Sequence, residues 1–175
     1  MGHSSANSKA VISLYTAEQR ARRDASIWTL VQGILAPVQF VVFLVSLAFI
    51  ARYFYTGDGL AAANLSIVAK TLILYTIMIT GAIWEKVVFG QYLFAKSFFW
   101  EDVFSMAVLA LHTAYLYCLL TGALAGSQLL ILALFAYATY VINAAQFIWK
   151  LRMARLGANL EQAVVMAPTN AQVAS

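Results

Sequence analysis

Charge is scarce in this sequence: of 175 residues, 11 are Lys or Arg and 7 are Asp or Glu. That is too little polar surface to cover a soluble globule, while a hydrophobic share of 63% is too high for a disordered chain. Cysteine is nearly absent. The single Cys118, inside an apolar run, allows no intrachain disulfide and no thiolate metal site. Histidine occurs twice, and because His3 lies in the polar N-terminal tail, a bis-His haem within one chain is excluded. Of two prolines, Pro37 falls inside an apolar run, where it removes one backbone donor and favours a kink over a break. No internal repeat and no Gly/Pro-interrupted pair of helices suggests alternating access, which counts against a transporter.

What is present is long apolar runs, with a mean hydropathy of +0.80. Lipid cannot hydrogen-bond the backbone, and unalternated runs exclude a barrel, so the expected fold is all-α and polytopic, with four transmembrane helices. No charge occurs between Asp24 and Arg52, and from Asn64 to Trp84 the only one is Lys70, expected to snorkel to the interface from the first turns of its span. Val103 to Trp149 is uncharged and holds two spans joined by a turn at Thr121–Ser127, whose two glycines mark it. Spans are expected at about 27–52, 65–85, 103–122 and 127–149. They lie within a membrane domain at 25–156, after a polar segment at 1–24 and before a disordered tail at 157–175. The polar start Met1-Gly2-His3-Ser4-Ser5 and the length of the first apolar run predict no cleaved secretory signal.

Orientation follows from the short flanks. Lys9, Arg20, Arg22 and Arg23 precede span one, Lys86 and Lys96 lie between spans two and three, and Lys150, Arg152 and Arg155 follow span four. The positive-inside rule therefore places both termini and the central loop in the cytoplasm. The basic residues flank apolar runs instead of forming an aromatic-interleaved patch, so nucleic acid is not an expected partner and the bilayer is.

Ionisable groups near membrane depth are the first candidates for chemistry. Glu85 ends span two among Ile83, Trp84, Val87, Val88 and Phe89, where apolar neighbours disfavour the charged form and suit it to act as a general acid; an interfacial pair with Lys86 is the plainer alternative. Glu101 and Asp102 precede span three and either cap that helix or join the acid. His112 lies eleven residues, about 16 Å, beyond Glu101, close to three full turns, so both point to one side. It suits a metal or pigment ligand, a base, or a packing residue. Gln32, Gln39 and Asn143, with Gln146, sit within spans as interhelical hydrogen-bonding groups or as partners for the polar edge of a large ligand. Phe98, Phe99 and Trp100 form either an interfacial belt or a stacking surface for a flat macrocycle.

Long strings then become informative. Tyr15-Thr16-Ala17-Glu18-Gln19-Arg20, Asp24-Ala25-Ser26-Ile27-Trp28, Gly81-Ala82-Ile83-Trp84-Glu85-Lys86-Val87-Val88-Phe89-Gly90, Phe98-Phe99-Trp100-Glu101-Asp102-Val103-Phe104, Leu111-His112-Thr113-Ala114-Tyr115 and Tyr137-Ala138-Thr139-Tyr140-Val141 resemble the 3-vinyl bacteriochlorophyllide hydratase family of bacteriochlorophyll biosynthesis, over about residues 14–156. The resemblance implies addition of water across the C3 vinyl group of chlorophyllide a or bacteriochlorophyllide a, giving the 3-(1-hydroxyethyl) pigment. It implies no cofactor beyond the Mg-bearing substrate, an inner photosynthetic membrane, and other pigment-synthesis enzymes as candidate partners. It carries no catalytic set onto this chain. From the residues themselves, Glu85 or Asp102 is the expected acid, Glu101 or His112 orients water, and His112 alternatively ligates the central Mg. Lys86, Gln32, Gln39, Trp100 and Asn143 are the expected substrate-binding residues, with Lys96 or Arg22 also able to meet the propionate. A non-catalytic pigment-binding or assembly subunit is the competing reading, and it needs none of the three carboxylates.

Overall fold

A computed structural model describes residues 14–166, with side chains through Gly157. Five α-helices make up the described chain: α1 Ala17–Ala25, α2 Ile27–Thr56, α3 Leu60–Phe89, α4 Phe99–Thr121 and α5 Gly126–Met166. The last four each contain a stretch long and apolar enough to cross a bilayer. Their outward positions are apolar too: Leu30, Ile34, Val41, Leu72, Ile79, Leu120, Phe135 and Ile148 all lie exposed on the bundle surface.

Local signals set the boundaries. Thr16 caps α1 through a reciprocal capping box with Gln19, and the Ser26 hydroxyl accepts from Trp28 N to start α2. Gly57 ends α2 at φ 79° and Gly59 precedes α3 at φ 90°, left-handed conformations that make the three-residue turn between them. Helix α2 runs unbroken through Pro37.

Spans two and four are longer than expected. Because α3 begins at Leu60, Lys70 is ten residues in, about 15 Å along the helix. It is fully buried, which overturns its role as a snorkelling anchor. Likewise α5 continues past Arg155 to Met166, so helix occupies part of the tail expected to be disordered; residues 167–175, like 1–13 with Lys9 and His3, lie outside the described residues.

Helices α2 and α3 form one antiparallel hairpin and α4 and α5 another, each packed most closely within itself. Gln32 donates to Thr80 Oγ1 and Ser46 bonds Ser66, stitching the first hairpin. Asn143 donates to Ser105 Oγ and Lys150 pairs with Glu101 in the second. The seam between hairpins is closed by the core of Phe43, Ile50, Ile67, Tyr115, Leu130 and Tyr137. One end of the bundle gathers α1, the loop 90–98 and the Lys150 region of α5: Ser97 Oγ donates to Leu14 O, and Tyr15, Val88 and Phe98 form a second small core.

Candidate active site

Three carboxyl groups meet at that end. Glu85 projects from the last turns of α3, and Glu101 and Asp102 from the first turn of α4; all three are buried. The longer α3 is the reason: a segment expected as a polar interfacial loop from Glu85 to Asp102 is loop only across 90–98, and both acidic ends are helical. Glu85 and Asp102 face one another across the seam, tied to neighbouring amides of the loop 90–98. Two buried carboxyls brought together favour keeping a proton on one of them, an arrangement that can donate a proton beside its own conjugate base.

The loop fixes this pair through its backbone. Phe94 N donates to Asp102 Oδ2 at 2.7 Å and Ala95 N donates to Glu85 Oε2 at 3.2 Å. To aim both amides, Phe94 adopts φ 59°, a left-handed conformation that a phenylalanine takes only when its surroundings enforce it. Neither acidic side chain caps α4, whose N-cap Phe98 has no side-chain hydrogen bond. Both carboxyls nevertheless lie in the first turn of α4, where they complement the positive end of the helix.

Glu101 instead pairs with Lys150, whose Nζ also lies 5.1 Å from the Phe98 ring. Aromatic rings wall the cluster: Phe98 packs edge-on to Trp84 at 5.6 Å and stacks on Phe147 at 5.9 Å, with Tyr15 and Phe89 behind. The Tyr15 phenol is held above its ordinary pKa by burial, although the Arg23 guanidinium 4.7 Å above its ring works the other way. Such a wall keeps bulk water from the carboxyls and offers flat surfaces.

The remaining expected residues separate. Lys86 is exposed and its Nζ donates to Gly90 O at 2.7 Å, closing the end of α3; the Glu85–Lys86 pair does not form because consecutive helical residues face apart. Trp100 is 66% exposed and points away from the carboxyl cluster, as α4 turns residues 101 and 102 inward. Gln32 is spent on Thr80 within the first hairpin.

His112 is buried but ten residues beyond Asp102, about 15 Å by helical rise, so it does not share the acid's immediate surroundings. It belongs to an interior group in which its ring stacks on Tyr137 at 5.8 Å, while Lys70 Nζ lies 3.8 Å from the centre of the Tyr140 ring and 5.6 Å from that of Tyr137. Tyr137 OH donates to Ser46 Oγ at 2.6 Å. Gln39 and Asn143 are both buried between this group and the carboxyl end.

Lys150, the two loop amides and the interior Lys70 group are functional candidates that sequence reasoning passed over. Lys150 carried a readable signal: Asn143, Gln146 and Lys150 recur at helical spacing on one face of α5. The amides of Phe94 and Ala95 carried none, because any residue supplies an N–H.

A helical protein of bilayer-spanning dimensions, with a buried carboxyl pair walled by aromatics at one end, is the class these features define. The family model for 2-vinyl bacteriochlorophyllide hydratase matches residues 15–153, and the chain belongs to that family. It is 71% identical over 143 residues to the 2-vinyl bacteriochlorophyllide hydratase of Cereibacter sphaeroides, covering 82% of this chain and 89% of that one. To the protein of the same name from Rhodobacter capsulatus it is 67% identical over 150 residues, covering 86% and 87%. No solved structure matches.

Proposed function

We propose that this protein hydrates the ring-A vinyl group of a bacteriochlorophyll precursor, numbered 2 in the family's name and C3 in the alternative chlorin numbering, to a 1-hydroxyethyl group. The observation that carries the mechanism is the buried Glu85–Asp102 pair held by the amides of Ala95 and Phe94. Its proton goes to the terminal vinyl carbon, and the positive charge that forms on the adjacent carbon is delocalised into the macrocycle. Water adds to that carbon and gives up a proton, which returns to the pair. One water is consumed, and no electron acceptor or donor is needed. Glu101, held by Lys150, orients the attacking water, while Phe98 and its aromatic neighbours limit water near the cation.

The substrate is a chlorophyllide or bacteriochlorophyllide, approaching from the membrane with its propionate toward the polar end of the bundle. The clustering of α1, the central loop and Lys150 at that end, together with the Lys and Arg flanks, supports an N-in, C-in orientation in an inner, photosynthetic membrane. Other pigment-synthesis enzymes are the natural neighbours of a protein whose substrate and product are both membrane-bound pigments.

The test is turnover in membranes given chlorophyllide a in the dark without reductant. A product heavier by one water, lost in both Glu85→Gln and Asp102→Asn while the purified variants melt as the parent does, is expected. Undiminished turnover in both variants would remove the pair from the mechanism, and pigment bound but unchanged by the parent protein would favour a binding subunit.

A further inference from the structure

Side-chain polar atoms buried in a membrane protein normally find partners, and an unmet one costs about 1–3 kcal/mol. Along the seam between the two hairpins, five have none within the protein: Gln39 Nε2 and Lys70 Nζ from the first hairpin, and His112 Nε2, Asn143 Oδ1 and Gln146 Oε1 from the second. Their placement is continuous. Tyr137 meets Ser46 across the seam; seven residues before Ser46 is Gln39, and six after Tyr137 is Asn143. Since α2 and α5 run antiparallel, both lie toward the carboxyl end. The polar file thus leads from the Glu85–Asp102 pair through Gln146, Asn143 and Gln39 to His112 and Lys70.

His112 states the most about an occupant. Its Nδ1 lies 2.8 Å from Val108 O, a carbonyl that can only accept, so Nδ1 carries the proton and the neutral ring presents a bare lone pair at Nε2. An N–H tied to a backbone carbonyl is the arrangement that orients an imidazole and makes it a better ligand. The ring is fully buried and braced on Tyr137. No group of three or more His, Cys, Asp or Glu among the described residues is suited to a metal ion, so a bare divalent cation would find no carboxylates here to neutralise it. A metal already neutralised by a macrocycle needs only one axial ligand. Beside it, Lys70 Nζ offers N–H donors with no acceptor.

We propose that the seam is the slot for the pigment's macrocycle, with the central Mg on His112 Nε2 and a ring carbonyl accepting from Lys70. This rests on the hydratase reading for the pigment's identity. By helical rise His112 lies about 15 Å beyond Asp102 and its ring reaches back toward Val108 O, so a chlorin centred on Nε2 extends along the seam toward the carboxyl pair. A chlorin held there turns its vinyl edge to the carboxyl pair. Its ring ketone, on the opposite side of the macrocycle, faces the Lys70 side. Entry requires the hairpins to part by about one aromatic thickness, ~3.5 Å, and each hairpin's tighter internal packing lets them move as units.

The experiment measures binding of two pigments to detergent-purified full-length protein: chlorophyllide a and the same macrocycle without its metal. The parent should prefer the Mg pigment by at least tenfold. His112→Gly should abolish that preference and added imidazole should restore it; His112→Gln, which keeps a polar side chain, covers the case in which the glycine variant fails to fold, and it too should lose the preference. Lys70→Met should weaken binding of the keto pigment several-fold and leave the analogue with that ketone reduced unchanged. Preference persisting in both His112 variants would overturn the slot. Glu85→Gln separates the two ideas: binding and preference retained with hydration lost supports both. A parent that shows the preference without hydrating would leave the slot standing and sink the hydratase mechanism.

Discussion

At the residue scale, the proposed chemistry rests on how the three carboxyls are partnered. Glu85 and Asp102 face each other, held by loop amides, whereas Glu101 is paired with Lys150. Removing either member of the Glu85–Asp102 pair should lower kcat by about 10²–10⁴-fold, the usual contribution of a positioned acid, with pigment KM little changed. Lys150→Met should act differently: it leaves Glu101 buried without its cation, so the variant should melt lower, by about 3–5 kcal/mol for a broken buried pair, and the double variant with Glu101→Gln should recover most of that loss. Lys70→Met should have the opposite sign. A donor with no acceptor is replaced by an apolar chain of similar length, so detergent melting temperature should rise even as pigment binding weakens. A lower melting temperature would mean that Lys70 stabilises the bundle through Tyr140 instead.

Among the elements, the loop 90–98 is the one that assembles the site. Its two amides hold Asp102 and Glu85, and Phe94 is forced to positive φ to supply one of them. Phe94→Gly, which relieves the backbone conformation and keeps the N–H, should retain turnover. Replacing 90–98 with a Gly/Ser linker of equal length should leave helix content unchanged by circular dichroism and cost most of the activity; full activity in that variant would show that the helices alone set the carboxyls. This element was also the least legible in the sequence. Glu85, Glu101 and Asp102 stand out because acidic residues are rare here, but a charged segment between two apolar runs reads as loop, and only the true ends of α3 and α4 turn them inward together. Lys70 is misplaced for the same reason: with span two expected from about residue 65 and α3 beginning at Leu60, a deeply buried lysine reads as one near the surface. Trp100 shows the converse, since an aromatic beside two inward acids is itself outward.

For the molecule as a whole, four long apolar runs made the number and order of spans readable from hydropathy, because a backbone in lipid has few alternatives to a helix. Pairing of the last two spans is legible in the glycine-bearing turn at Thr121–Ser127, which the structure narrows to 122–125. The seam is not, because which polar residues face one another depends on helix rotation, and Gln39, His112 and Asn143 lie on three different helices. The arrangement explains how one small bundle can serve both a flat apolar pigment and water: stacking surfaces and a polar seam inside, acid at the end where α1 and the loop gather. Reporter fusions at the two termini should both report the cytoplasmic side, and a split result would overturn the orientation drawn from the Lys and Arg flanks.

The most direct measurement is single-turnover hydration of chlorophyllide a by the purified protein in H₂¹⁸O, in the dark and free of reductant, for the parent and Glu85→Gln. The parent should give a product heavier than substrate by one water carrying the heavy oxygen, and the variant should bind pigment and leave it unchanged. Equal conversion by both would contradict proton delivery from the Glu85–Asp102 pair.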